Sequence, residues 1–295
     1  MRNTDPIAET ITGRLTALQA SQRLSAWSLI VTFLGDAIVP RGGEVSASTL
    51  QSLMQRLGIG HGAVRTALSR LAADGWIERS REGRNSFYRL SADVAETVLS
   101  AERRIYAASS LLPADTPKSL VVAAEPLSEA TLRTLDSFGA LQLAPQVLLC
   151  FTHGPGLPPA LRLPGATIAD AQSLTPGAAL FEAMAEARLA REIGELRLAY
   201  LPLSAALDQD PSPEDAMALR CLMIHEWRRL ALRVLPVPED LIPPGDPEPE
   251  TRALIAAVYA RLLAPSEAWL DANAATSSGP LPPPDARLDA RFAGL

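Results

Sequence analysis

The chain has 295 residues, 47% of them hydrophobic, which is enough apolar material for two or three domains with real cores. It has no unbroken run of about 18 apolar residues, which argues against a membrane span; the two distant cysteines, Cys150 and Cys221, argue against a disulfide framework. The net charge of −6 hides a contrast: residues 1–106 carry 13 basic and 10 acidic side chains, whereas residues 107–295 carry 14 basic and 23 acidic ones. The basic part can approach nucleic acid and the acidic part is repelled by it.

Residues 1–24 read as an N-terminal arm in which Ala8, Ile11, Leu15 and Leu18 have helical spacing and suit docking on a partner. No signal-peptide pattern is present at this end, and the expected location is cytoplasmic. Residues 25–95 read as a DNA-binding domain. Its first helix, Ser25–Ile38, is strongly apolar and ends at Pro40-Arg41-Gly42-Gly43. A second helix over 48–57 buries Leu50, Leu53, Met54 and Leu57, with Ser48 or Thr49 as its cap. Gly58-Ile59-Gly60 then supplies a tight turn. In the third helix, 62–73, Val64, Ala67, Leu68 and Leu71 form one apolar stripe, and the other face presents Arg65, Thr66, Ser69 and Arg70, which suit phosphates and base edges. His61 opens this helix. Gly75 closes it, and Trp76–Arg81 pairs with Ser86–Leu90 across Glu82-Gly83-Arg84-Asn85, with Ile77 opposite Leu90 and Arg79 opposite Tyr88. Arg81, Arg84 and Asn85 sit at the tip. Seven arginines between Arg56 and Arg89 face three acidic residues, a net of +4. The order helix, turn, helix, basic hairpin is that of a winged helix-turn-helix.

Residues 96–117 form a linker, helical from Ala92 to Leu112 and closed by Pro113 and Pro117. A middle α+β domain at 118–175 has strands at Leu120–Ala124, Gln146–Phe151 and Thr167–Ala171, a helix at Ser128–Phe138 and a proline-rich loop at 154–165. A helical domain at 176–271 contains helices at Pro176–Gly194, Pro213–Val234 and Thr251–Leu263. The tail at 272–295 is small, polar and proline-rich, a composition of disorder. The lone lysine, Lys118, stands against 26 arginines.

Two segments make the chain resemble the PaaX family of bacterial transcriptional repressors of phenylacetate degradation and related catabolism. One is SLIVTFLGDAIVPRGGEVSASTL (28–50) running into GHGAVRTALSRLAADGWIERSREGRNSFYRL (60–90); the other is CLMIHEWRRLALR (221–233) followed by LPVPEDLIPPGDP (235–247). The resemblance implies an α+β chain with an N-terminal GntR-like winged helix-turn-helix, a ferredoxin-like middle domain similar to a CRISPR-associated nuclease fold, and a C-terminal helical domain. It further implies a homodimer on a palindromic double-stranded operator, released by an aryl acyl-CoA, typically phenylacetyl-CoA. The alternative it leaves open is a repressor or activator of another aromatic or amide catabolic pathway with a different effector. Family members often carry tryptophans between the two segments; residues 119–200 have none.

His61, Arg65, Thr66, Ser69, Arg70, Arg79, Arg81, Arg84 and Asn85 are therefore the candidate DNA contacts. His225-Glu226 begins like the zinc-protease pattern HExxH, but position 229 is Arg, so the second ligand is missing. His225, Glu226, Arg228 and Arg229 suit a polar network under the helical domain, or an effector phosphate or subunit interface, for which the arginines offer bidentate forks. Cys150 and His153 alone are a weak metal pair, and no metal or cofactor is expected. No acidic cluster at a strand end in 119–151 suits a nuclease, so an enzyme is not expected.

Overall fold

The computed structural model describes residues 6–21, 23–135, 139–151, 162–206 and 211–295. The fold is α+β. In chain order its helices are α1 (Pro6–Ala20), α2 (Ala26–Phe33), α3 (Ala47–Arg56), α4 (His61–Ala73), α5 (Ala95–Ile105), α6 (Glu129–Leu135), α7 (Ala178–Ala187), α8 (Ala190–Tyr200), α9 (Leu203–Ala206), α10 (Pro213–Ala231), α11 (Glu248–Asn273) and α12 (Ala286–Asp289). Its strands are β1 (Glu44–Ser46), β2 (Ile77–Glu82), β3 (Asn85–Leu90), β4 (Lys118–Val122), β5 (Ala140–Ala144), β6 (Val147–Phe151), β7 (Thr167–Asp170), β8 (Ala275–Thr276) and β9 (Gly279–Pro280). The chain divides into two compact units: residues 1–108, 195–232 and 250–295 form one, and 109–194 with 233–249 form the other. α10 and nearly all of α11 fall in the same unit as the N-terminal helices, and α2 and α3 pack against α10.

In the first unit, α3 starts at Ser46, whose Oγ accepts from the Thr49 N–H at 3.2 Å. The cap lies two residues before the earlier of the two expected positions, because β1 delivers Ser46 in extended conformation to the helix entrance. α3 and α4 end in the same way. The amides of Gly58 and Ile59 bond to Gln55 O and Met54 O, and those of Gly75 and Trp76 bond to Ala72 O and Leu71 O. Both are Schellman ends, and the left-handed φ of Gly58 (73°) and Gly75 (74°) is what such an end demands. β2 and β3 pair with Ile77 opposite Leu90 and Arg79 opposite Tyr88; β1 adds to the other edge of β3.

The expected helix 25–38 is α-helical only to Phe33. It widens into a π-turn at Leu34–Ile38 and tightens into a 3₁₀ turn at Val39–Arg41. Pro40 has no N–H to give to the Asp36 carbonyl four residues back, and two arginines take its place: Arg220 Nη2 and Arg291 Nη1 donate to Asp36 O at 3.2 and 2.7 Å. The Asp36 carboxylate, 2% exposed, accepts from Arg220 Nε (2.8 Å), Arg291 Nη1 (2.9 Å), Tyr106 Oη (2.6 Å) and Tyr259 Oη (3.0 Å). Glu267 and Glu102 take the remaining charge of Arg220 and Arg291, and Glu267 also binds Arg41. Burial pushes the Asp36 carboxyl up, but Arg220, Arg291 and the two phenols outweigh it and hold it below the ordinary carboxylate value.

This network explains two departures from expectation, and packing on α10 and α9 explains a third. The linker helix stops at Ile105, since Tyr106 must turn in to reach Asp36. The tail at 272–295 is folded rather than disordered: Arg291 is buried on Asp36, and the Phe292 ring stacks edge-on against Tyr106 (5.3 Å) and Tyr259 (5.7 Å). The N-terminal arm is a helix seated on its own chain, with Ile7, Ile11 and Leu18 buried and α10 and α9 beneath it. By length and composition α11 could cross a membrane, but it buries Ile255, Val258, Leu262 and Trp269 in the unit's core.

In the second unit the strand order is β5-β6-β4-β7, with every pair antiparallel. Strand alternation gives β6 two apolar faces. Leu149 and Phe151 pack with Leu141, Met184 and Leu241 on one side; Leu148 and Cys150 pack with Val121 and Leu135 on the other. The expected helix 176–194 is two helices, broken at Arg188 and Leu189, where Leu189 adopts φ 56°. The break serves Arg188, which is fully buried, pairs with Asp246 and Glu248, and donates to Leu235 O. Lys118 is buried too, donating to Ala114 O at 2.9 Å and pairing with Asp240 at 3.1 Å. Most of the proline-rich loop 154–165 lies outside the described residues.

Candidate nucleic-acid interface

α4 buries Val64, Ala67, Leu68 and Leu71 and leaves His61, Arg65, Thr66, Ser69 and Arg70 exposed. This is the division an apolar stripe of period 3.6 imposes. Thr66 Oγ1 donates to Gly62 O at 3.0 Å, which fixes its rotamer. Arg70 makes only a solvent-exposed contact, 3.7 Å to Asp74 one turn on, and is 77% exposed. Such a pair is worth little and can be exchanged for a phosphate.

Three residues after α4 the hairpin begins, and Arg79, Arg81, Arg84 and Asn85 are all exposed on it. Its loop is only Gly83-Arg84, since Glu82 and Asn85 already pair; Gly83 has φ 58°, as a two-residue hairpin turn with glycine first requires. Arg79 donates to Ser86 Oγ at 2.8 Å, across the hairpin. Two of the seven arginines have acidic neighbours that offset their charge. Arg56 is held by Asp215 of α10, and Arg89 lies between Glu78 and Glu44 in the sheet register. Arg65, Arg70, Arg79, Arg81 and Arg84 remain.

The second predicted cluster has other duties. His225 is fully buried, with Nδ1 3.5 Å from Thr32 Oγ1 and Nε2 without a partner. Burial, then Arg228 and Arg229, push its pKa down to about 3, so it is a neutral imidazole. Glu226 is bound by Arg14 of α1 and accepts from Tyr200 Oη at 2.7 Å. Arg228 donates to Thr32 Oγ1 (2.7 Å) and Ser28 Oγ (2.5 Å) of α2, and Arg229 to Arg23 O (3.2 Å). α10 thereby clasps α1 and α2 along one face, and Glu226 and Arg228 have their partners inside the unit. Cys150 is buried, its thiol pushed up to about 11 by burial, which makes it a poor ligand or nucleophile. His153 lies outside the described residues. Among the described residues no group of three potential metal ligands comes together.

The sequence reading missed the Asp36 network. Its signal was one aspartate inside the apolar run 28–39: a charge on a buried helix must find partners. The identity of those partners, up to 255 residues away, was not available from spacing.

The exposed arginines thus gather on α4 and on the hairpin that follows it, and the comparisons with known proteins show which family carries this arrangement. The family model described as "PaaX-like protein" matches residues 25–94, and that described as "PaaX-like protein C-terminal domain" matches 186–272. The chain is 31% identical over 305 aligned positions, covering 92% of it and 91% of the relative, to the protein named "Transcriptional repressor PaaX" from Escherichia coli strain K12. A solved structure of the uncharacterized protein Rv0674 from Mycobacterium tuberculosis shares the fold, with a TM-score of 0.50 at 16% identity over 83% of this chain and 98% of that one. The chain belongs to the PaaX family of regulators. It is not an enzyme.

Proposed function

We propose that the protein is a DNA-binding transcriptional repressor of a catabolic operon, with residues 25–95 as a winged helix-turn-helix and the middle unit as a ferredoxin-like domain. Carrying the reading is one observation: the exposed arginine face of α4 is followed within three residues by an exposed arginine hairpin. α4 enters the major groove, with Arg65, Thr66, Ser69 and Arg70 nearest the bases and His61 at a phosphate. Arg79, Arg81, Arg84 and Asn85 grip the flanking backbone or minor groove. The strand order β5-β6-β4-β7, all antiparallel, supports the ferredoxin-like assignment. The relative's name supports repression.

The protein acts in the cytoplasm as a homodimer on a palindromic operator and is released by an aryl acyl-CoA such as phenylacetyl-CoA, which shifts the population toward the form that cannot hold DNA. His225, Glu226, Arg228 and Arg229 brace α10 against α1 and α2, which supports a structural role for them over an effector-phosphate site. The test is fluorescence anisotropy with the promoter beside the protein's own gene, at fixed salt, with and without phenylacetyl-CoA or phenylacetate. Release by the thioester and not the acid supports the reading in full. Tight binding that ignores the thioester leaves a repressor with another effector. Equal affinity for operator and scrambled duplex refutes it.

A further inference from the structure

Beside the Asp36 network lies a cavity of about 140 Å³ with no role in holding DNA. α2, its π-turn, α5 and α10 line it, and one side is open. Val31, Val98, Ile224 and Leu232 form its apolar wall, and Trp76 and Tyr106 supply aromatic faces. The exposed Thr97 marks its mouth. Each charged group on its lining is already engaged: Asp36 and Glu102 with Arg291, and Arg228 with Ser28 and Thr32. The space is thus small and mostly apolar, and the one cation on its lining, Arg228, has its guanidinium turned to the hydroxyls of Ser28 and Thr32. An apolar space of about 150 Å³ is the size that accepts a benzene ring.

We propose that this cavity is a binding site for a single uncharged aromatic ring, through which a ligand acts on the reading helix. The coupling is built from Trp76. Its amide bonds to Leu71 O in the Schellman end of α4, its carbonyl accepts from Ser91 N at 3.0 Å beyond β3, and its indole stands edge-on to Trp27 of α2 at 5.1 Å. A ring seated against this indole therefore bears on the end of α4 and the root of the hairpin together. A ligand that favours a displaced Trp76 lowers DNA affinity by its differential affinity for the two positions. The regulatory half of this inference rests on the repressor reading; the ring site does not.

The four tryptophans allow a direct test by ¹⁹F NMR of protein labelled with 5-fluorotryptophan, with the Trp76 signal assigned from W76F. Toluene, phenylacetate and phenylacetyl-CoA are titrated in turn, which separates the ring alone from the ring carried on an acid or a thioester. Toluene is expected to move the Trp76 resonance and leave that of Trp269 in place. Ala101→Phe puts a ring into the cavity and is expected to abolish the movement and to weaken any ligand-induced operator release at least about tenfold. Ala101→Leu, a smaller filler, is expected to do so in part and serves where A101F folds poorly. If no ring compound moves Trp76, or if both variants titrate like the parent, the cavity proposal is overturned, and operator release by phenylacetyl-CoA in those same samples would leave the repressor reading standing. If toluene moves Trp76 while the protein ignores operator DNA, the ring site stands and the repressor reading falls.

Discussion

Replacing Asp36 by Asn removes one charge without changing shape, at the point where five elements of the first unit meet. The carboxylate is 2% exposed and accepts four hydrogen bonds, two of them from arginines that are themselves almost fully buried. In D36N, Arg220 keeps Glu267 and Arg291 keeps Glu102, so neither is left bare, but the cluster gains an uncompensated positive charge in a place water does not reach. Breaking a buried pair from one side costs about 3–5 kcal/mol. In a unit of this size that is roughly a 6–20 °C fall in melting temperature, at about 2–4 °C per kcal/mol. Thermal and urea unfolding followed by circular dichroism measure it. The double variant D36N/R220M should lose less than the sum of its singles, because removing Arg220 relieves the charge that D36N exposes. The sign with pH follows from the depressed folded pKa of Asp36: its contribution is present above the ordinary carboxylate pKa and is lost as pH falls through the folded value. A D36N protein melting within about 2 °C of the parent at pH 7 would mean that the network is not a keystone.

Four further outcomes are expected. Arg65→Ala and Arg70→Ala each weaken operator binding by about 1–3 kcal/mol in anisotropy titrations while shifting thermal stability by less than about 0.5 kcal/mol, since both side chains are exposed. Arg84→Ala at the hairpin tip weakens binding to all sequences alike and lowers the slope of log affinity against log salt by about one. His225→Leu removes a pH dependence: burial depresses the folded pKa to about 3, so the unfolded chain takes up the proton first and stability is lost as pH falls below about 6.5, by about 2 kcal/mol between pH 7 and 5 in the parent and less in the variant. Phe292→Ala empties the space between Tyr106 and Tyr259 and destabilises the first unit by about 3–5 kcal/mol in urea unfolding, a result that a disordered tail would not give.

Local patterning made the reading head readable from sequence. Gly58, Gly75 and Gly83 punctuate it, the apolar stripe of α4 has a single period, and the hairpin register follows from Ile77 and Leu90 sharing the buried face. What escaped was decided by long-range charge. Arg188 breaks a continuous helical pattern because its partners Asp246 and Glu248 lie about sixty residues downstream. Arg220, Arg291, Tyr106 and Tyr259 look like ordinary surface or core residues until Asp36 gathers them. The tail has the composition of disorder, yet Arg291 and Phe292 carry enough specific partners to order it. Pattern rules report which face is apolar; they cannot say which buried charge a distant arginine must neutralise.

The separation of duties along α10 follows from the same physics. Its buried face carries Arg220, His225, Glu226 and Arg228, four groups that would each be costly to bury alone. Three of them are tied to the N-terminal elements by charge-assisted hydrogen bonds: Arg220 to Asp36, Glu226 to Arg14, and Arg228 to Ser28 and Thr32. Such contacts are directional, so they fix the rotation of α2 about its own axis in a way that apolar packing alone would not. α2 in turn supports α4, the helix proposed to read DNA. Replacing both partners of these pairs together by apolar residues of similar volume is expected to cost little stability, as whole buried ion pairs often can be replaced, and to loosen the position of α4 and lower operator specificity. The expected outcome is that the pairs on α10, taken whole, contribute more to where α4 points than to how tightly the protein folds.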